Sequence, residues 1–233
     1  VHVHQLGRDL DLRRGRVELD RHLLDLVQAA RKIRDDQRVG ALLHSLGQAL
    51  SEQFGQQVII DNRAGATGRI GTELAAKSPA DGYTLLLGSS APNAIIPAAS
   101  PTVAYDAIRD FVPISLVGKA SYVLVVHPSL PVHSVKELIA LAKANPGKLT
   151  FASSGVLGAS HLAGEMLSRL ANINIVHVAY KGTSLAAVSV LTGETVMSFA
   201  GGAEARTLVA AKRLRALGTT GSKRAGSGLP TLS

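Results

Sequence analysis

Apolar positions change their period along the chain. Between 18 and 34, Leu19, Leu23, Leu26, Ala30 and Ile33 recur at helical spacing and predict an amphipathic helix, with a solvated extension as the alternative. From position 41, helical stretches alternate with β-branched ones. Leu42, Leu46, Ala49, Leu50 and Phe54 form one stripe, and Gly55 stands where a helix ends in the left-handed region, so a helix is predicted over 41–54. Residues 57–60 read as a buried strand. The loop 61–71 leads into a helix through about Lys77, and Pro79, Asp81 and Gly82 break it before a strand at 83–87. A helix at 92–99 and strands at about 112–117 and 122–127 are expected next.

Ser134, followed by Glu137 three residues later, is a capping box that opens a helix running to Asn145, where Pro146 and Gly147 stop it. Beyond it, strands at 149–153, 174–178, 195–199 and 214–219 alternate with helices at about 159–171, 183–192 and 203–212. Such alternation means right-handed βαβ units and predicts an α/β fold with a mainly parallel sheet. Ligands of such sheets bind beyond the carboxyl ends of the strands, in the loops that open the following helices.

Length and composition narrow the class. A chain of 233 residues is one large or two small lobes. An apolar fraction of 46% and a mean hydropathy of +0.20 argue against intrinsic disorder. The absence of Cys excludes disulfides, thiolate catalysis and zinc-thiolate sites, and leaves the redox compartment open. A net charge of +8 would permit binding to nucleic acid, yet only Arg13, Arg14 and Arg16 are dense and aromatic residues make up 3%, so no nucleic-acid partner is expected. The longest apolar runs, 83–87 and 122–126, fall far short of the ~20 residues that span a bilayer, and the chain is read as soluble. Positions 1–40 hold 16 charged residues and the other 193 hold 26, so the first segment is a differently made piece of chain. It lacks the apolar core of a secretory signal, and no export signal is read in the chain as written.

Three strand-to-helix loops are rich in small polar residues: 88–93, with Gly88, Ser89, Ser90 and Asn93; 153–160, with Ser153, Ser154, Gly155 and Ser160; and 180–184, with Tyr180, Lys181 and Gly182. Helix N-termini present unpaired amides and the positive end of the dipole, so these loops are candidate sites for an anion such as a carboxylate. The alternative, in which Ser and Thr only cap helices and Gly only turns the chain, stays open for each loop. His161, in the first turn of its helix, either donates to a ligand oxygen or packs. Lys181 either faces the anion or is solvated. Ser168, on the same helix as His161, is expected to be exposed.

Enzyme signatures fail in turn. Gly65, Gly68 and Gly71 are spaced G-x-x-G-x-x-G, whereas dinucleotide binding needs G-x-G-x-x-G. The phosphate loop, H-E-x-x-H and G-x-S-x-G are absent from the sequence. His2 and His4 are weak evidence for a metal. No catalytic residue, cofactor or metal is expected.

The segments DNRAGATGRIG (61–71), PADGYTLLLG (79–88), YDAIRDFVPISLV (105–117), LVVHPSLP (124–131), SVKEL (134–138), NPGKL (145–149), SHLAGE (160–165), HVAYKG (177–182) and LRAL (214–217) run in one order from about Gly40 onward. By order and spacing this resembles the Bug family, the periplasmic receptors of tripartite tricarboxylate transporters. The resemblance implies a two-lobed, periplasmic-binding-protein-like (type II) α/β receptor. Such a receptor closes on a small carboxylate and presents it to membrane permease subunits, as a monomer and without catalysis. It places residues 41–115 and 215–233 in lobe I and 116–214 in lobe II. Residues 88–93 would face the ligand from lobe I and 153–161 from lobe II, with 180–182 and 199–202 near the rim.

Two departures from the family pattern shape the expectations. The family's first strand and its Pro-Phe…Gly-Gly loop are not matched by residues 1–40, which bear no resemblance to them, and the match stops at Ser233. The chain is therefore expected to lack the sheet's first strand and its last elements. With one jaw incomplete, it is expected to bind weakly or not at all.

Overall fold

Tyr122–Val126 carries a run of five strand-forming side chains whose burial alternates between two cores, and the second half of the molecule is organised around it. The computed structural model describes residues 2–4, 39–100, 102–221 and 231. The predicted helix at 18–34 and the Arg13 cluster lie outside them. Contacts divide the chain into two units, Val1–Lys119 and Ala120–Ser233.

In the first unit, β1 (His2–His4) lies between β2 (Ile59–Asp61) and β3 (Thr84–Leu86), antiparallel to both. Helix α1 (Val39–Phe54) places Leu46, Ala49, Leu50 and Phe54 against Val58 and Leu85, and Gly55 ends it at φ +60°. Arg69–Ala76 forms α2, and a π-turn, Ala91–Ile95, runs into the short α3, Ile96–Ala99. The expected gap at the first strand is not observed. Ladder bonds are made by backbone groups, so an extended tripeptide fills that place whatever its side-chain resemblance. The strand expected at 112–117 does not form. Among the described residues it has no ladder partner, Val112 is 75% and Leu116 58% exposed, and Pro113 lacks a ladder donor.

The second unit is a five-stranded sheet in the order β6-β5-β7-β4-β8. Its strands are β4 (Tyr122–Val126), β5 (Thr150–Ser153), β6 (Val176–Ala179), β7 (Met197–Gly201) and β8 (Arg215–Thr219). Helices α4 (Val135–Ala144), α5 (Ala159–Ala171), α6 (Thr183–Leu191) and α7 (Gly202–Ala210) connect them. Leu124 and Val126 face a core with Leu138, Phe151, Met197 and Phe199, while Val123 and Val125 face one with Ala186, Val190, Ala205 and Leu214. Helices therefore cover both faces.

Two expectations are corrected. The sheet is mixed, since β4 is antiparallel to both β7 and β8 while β5 is parallel to β6 and β7. An apolar run reports burial on two faces, and burial carries no strand direction. Residues 215–219, assigned from sequence to the first lobe, pair with β4 and lie in the second unit. The capping box forms in altered shape. Ser134 Oγ accepts from the Glu137 amide at 3.2 Å, whereas the Glu137 carboxylate accepts from the amide of His133, one residue earlier than the cap.

Helix α5 reaches the sheet at Gly164, where an added Cβ would fall within 2.7 Å of three Phe151 ring carbons. Both residues are fully buried, so Gly164→Ala is expected to cost about 1–3 kcal/mol by overpacking. Urea denaturation followed by circular dichroism measures it, and an unchanged midpoint would show that α5 can retreat from Phe151.

Candidate functional site

The carboxyl ends of β6, β5 and β7 lie side by side, because these three strands are adjacent and parallel. Each runs directly into the loop that opens α6, α5 and α7 respectively. The first two loops are tied together: the Tyr180 amide donates to Ser153 O at 2.9 Å and the Gly182 amide to Ser154 O at 3.2 Å. The structure thus brings together Ser153, Ser154, Gly155, Ser160, His161, Tyr180, Lys181 and Gly182.

Within the 153–158 loop the serines have distinct tasks. Ser153 is fully buried, with Oγ accepting from the Gly155 amide at 3.1 Å and lying 2.6 Å from His177 Nε2. Ser160 is 1% exposed, and its Oγ accepts from the Ser154 amide and meets Ser154 Oγ, both at 3.0 Å. These hydroxyls hold a tight loop in which Gly155 has φ +135° and Leu157 φ +61°. The Leu157 amide donates to His161 Nδ1 at 3.2 Å, so neutral His161 carries its proton on Nε2, 3.6 Å from Glu165. His161 packs between two rings, parallel to that of Phe151 and 4.1 Å from that of His177. Lys181 is exposed. Ser168 is corrected from exposed to half-buried, its hydroxyl donating to Ile173 O at 2.6 Å because it closes the end of α5.

Both helix starts present main-chain amides that their own helices leave unbonded. The first intrahelical bond of α5 runs from Leu162 to Gly158, so the amides of Ala159, Ser160 and His161 precede any acceptor of their own helix. The same holds for Thr183, Ser184 and Leu185 in α6, where Ala186 bonds Gly182. Tyr180 packs against the Val123 and Ala186 cluster, and its hydroxyl is buried with no hydrogen-bond partner.

In the first unit, Gly88, Ser89, Ser90 and Asn93 follow β3. All four are exposed, and the Asn93 amide bonds Ser89 O at 3.2 Å. A side chain at Gly88 would collide with the Asn93 amide group. Tyr105, buried and edge-on to Phe111, donates its hydroxyl to Pro92 O and so anchors this loop. Sequence reasoning missed Tyr105 and His177, although both stand in the segments quoted above. For His177 the signal was a polar aromatic residue in an otherwise apolar strand. Among the described residues no cluster of three metal-ligating side chains occurs, and no helix is long and apolar enough to cross a membrane.

The family model for the tripartite tricarboxylate transporter family receptor matches residues 42–233. The chain belongs to this family. Among relatives of the family, a Pseudomonas protein described as "UPF0065 protein in tcbD-tcbE intergenic region" is 40% identical over 182 residues, which is 78% of this chain and 54% of the relative. Protein BugT of Bordetella pertussis is 43% identical over 149 residues, 64% of this chain and 46% of BugT. The chain thus spans about half the length of these curated relatives. Among solved family structures, R. palustris Rpa4515 with adipate superposes with a TM-score of 0.77 at 32% identity, covering 83% of this chain and 66% of that one. The periplasmic binding protein BugD does so with a TM-score of 0.74 at 28% identity, covering 81% and 64%.

His177 is half-buried. Burial first and the neighbouring His161 second hold its imidazole below the usual range, with Glu165 acting in the opposite sense. Its folded value is therefore depressed, so its contribution to stability is present above the ordinary imidazole range and is lost as pH falls through the lower folded value.

Two substitutions test the loop anchors. Ser160→Ala leaves the Ser154 amide without its acceptor and is expected to cost about 1–3 kcal/mol, as is Tyr105→Phe through the carbonyl of Pro92. Thermal unfolding, with Ser115→Ala at an exposed position as reference, gives both values. Losses within those of Ser115→Ala would deny the anchoring roles.

Proposed function

We propose that the chain is a solute-binding receptor for a small carboxylate, acting in the periplasm and delivering its ligand to the permease of a tripartite tricarboxylate transporter. The observation that carries this reading is the group of strand carboxyl ends whose loops present the first-turn amides of α5 and α6, a surface suited to an anion by hydrogen bonding and dipole rather than by formal charge. The buried Tyr180 hydroxyl is a donor that a ligand oxygen would satisfy. Adipate in Rpa4515, a relative at 32% identity, supports a carboxylate as the ligand class. Within the first unit, taken by itself, Ser89, Ser90 and Asn93 are exposed and are the candidate polar contacts that it offers.

Binding is preferred over catalysis for a structural reason. Ser153 and His177 have the 2.6 Å spacing of a nucleophile and its base, yet Ser153 is fully buried and its hydroxyl closes the turn to Gly155. It is not presented to a substrate.

High acid concentrations make even weak binding visible in the test. A ligand at ten times its Kd stabilises by about 1.4 kcal/mol. Thermal shift at millimolar concentrations of dicarboxylates, acidic amino acids, aromatic acids and nicotinate is expected to show a saturable rise for at least one acid, reduced in Ser160→Ala and retained in Ser115→Ala. No saturable rise for any acid would overturn the reading.

A further inference from the structure

His177 is the one side chain of β6 that the site geometry leaves without a task, and it stands where the loop and the core meet. In the parallel register it lies opposite Phe151, two residues before Ser153 faces Ala179. Its ring packs at 4.9 Å from Phe151 and 4.1 Å from His161, and its Nε2 meets Ser153 Oγ at 2.6 Å. The titratable groups acting on it are His161 and Glu165, both on α5. Its other packed neighbours, Phe151 and Ser153 of β5, carry no charge.

We propose that His177 is a positioning residue for the 153–158 loop, and that proton uptake on its Nε2 rearranges the Ser153 hydroxyl and couples carboxylate binding to pH. The coupling to a ligand rests on the receptor reading above; the rearrangement itself does not. In the neutral tautomer of His177 that carries its proton on Nδ1, Nε2 is bare and Ser153 donates its hydroxyl proton to it, while the hydroxyl oxygen accepts from the Gly155 amide. With His177 protonated, Nε2–H donates to Ser153 Oγ and the hydroxyl proton turns to Gly155 O, 3.2 Å away. The amide of Gly155 keeps its acceptor in both states. Protonation therefore adds a second Ser153–Gly155 bond and closes the turn into a ring, and it places a positive charge beside the ring of His161, a first-turn residue of α5. Both changes favour an anion at the first-turn amides of α5, and by reciprocity a bound carboxylate raises proton affinity at His177.

The test is a nuclear magnetic resonance titration of the full chain between pH 8 and pH 5.5, following the imidazole nitrogens of His177 and the Gly155 amide, alone and with adipate. Adipate affinity is calculated for the dianion. In the unaltered chain the Gly155 amide is expected to titrate with the midpoint of His177, and adipate to bind several-fold more tightly at pH 5.5 than at pH 8. His177→Gln keeps an acceptor near the position of Nε2. It is expected to preserve the pH 8 spectrum of the loop and the pH 8 affinity while abolishing both pH dependences. His177→Leu, if folded, is expected to displace the amides of Ser154 and Gly155 at every pH. A Gly155 amide indifferent to His177, or a titration step surviving in His177→Gln, overturns the positioning role. An affinity independent of pH overturns its coupling to the ligand. Absence of binding at every pH, by adipate and by the other acids of the panel, speaks against the receptor reading instead, and the ligand-free titration still decides the role of His177.

Discussion

Ser153 ends β5 between two parallel neighbours, and every feature of the second unit's candidate site is constrained by how the chain leaves that position. The strand is paired on both sides, so its main chain is committed, and the turn into α5 has only side chains and loop amides with which to satisfy itself. It does so with Ser153, Ser160 and His161, each accepting from a different loop amide. That arrangement permits φ +61° at Leu157, a backbone state a lone leucine avoids. The carbonyls of Ser153 and Ser154 in turn fix the start of the neighbouring loop through Tyr180 and Gly182. One tight exit therefore positions two helix starts.

The division of labour among serines follows from burial. A buried hydroxyl must find partners within the protein, and a loop rich in Ser beneath a helix start supplies them to its own amides. Ser153 and Ser160 are of this kind, whereas Ser89 and Ser90 on the first unit are exposed. On the proposed receptor reading, the groups left to meet an anion in the second unit are the first-turn amides of α5 and α6 and Tyr180. None of these groups carries formal charge, so on that reading a carboxylate would meet directed dipoles that need no counter-ion. Lys181 is exposed.

Helices were the most legible elements. Residues 159–171 were predicted and observed with the same ends, because Gly158 precedes an amphipathic stripe and Asn172 follows it at φ +49°. The cap at Ser134 was equally plain. What failed was whatever depended on partners remote in sequence. The 112–117 stretch has strand-like alternation and no ladder, β4 runs against its neighbours, and the chain from His2 enters a sheet with residues some sixty positions away. For the site, loop locations were legible from Gly and Ser content after β-branched runs. The assignment of individual side chains was not. Whether Ser160 faces a ligand or an amide depends on a rotamer and on Ser154, and neither leaves a trace in spacing. His177 read as one polar residue of a strand, since its partners Ser153 and His161 come from two other elements.

Phe151 links the core to the site more directly than any polar contact. Its ring is fully buried among Leu138, Met197 and Phe199, it is the surface on which α5 closes through Gly164, and both imidazoles pack around it. The height of α5 above the sheet therefore sets where its first-turn amides stand and how far His161 lies from His177. A bulkier residue at position 164 would lift the helix. The amides of 159–161 would move with it, and the 4.1 Å separation of the rings would change without any alteration to a residue near the ligand. Close packing transmits such displacements because it leaves no free volume to absorb them. Gly164 thus sets the height of the candidate helix start from a position where an added Cβ would meet the Phe151 ring.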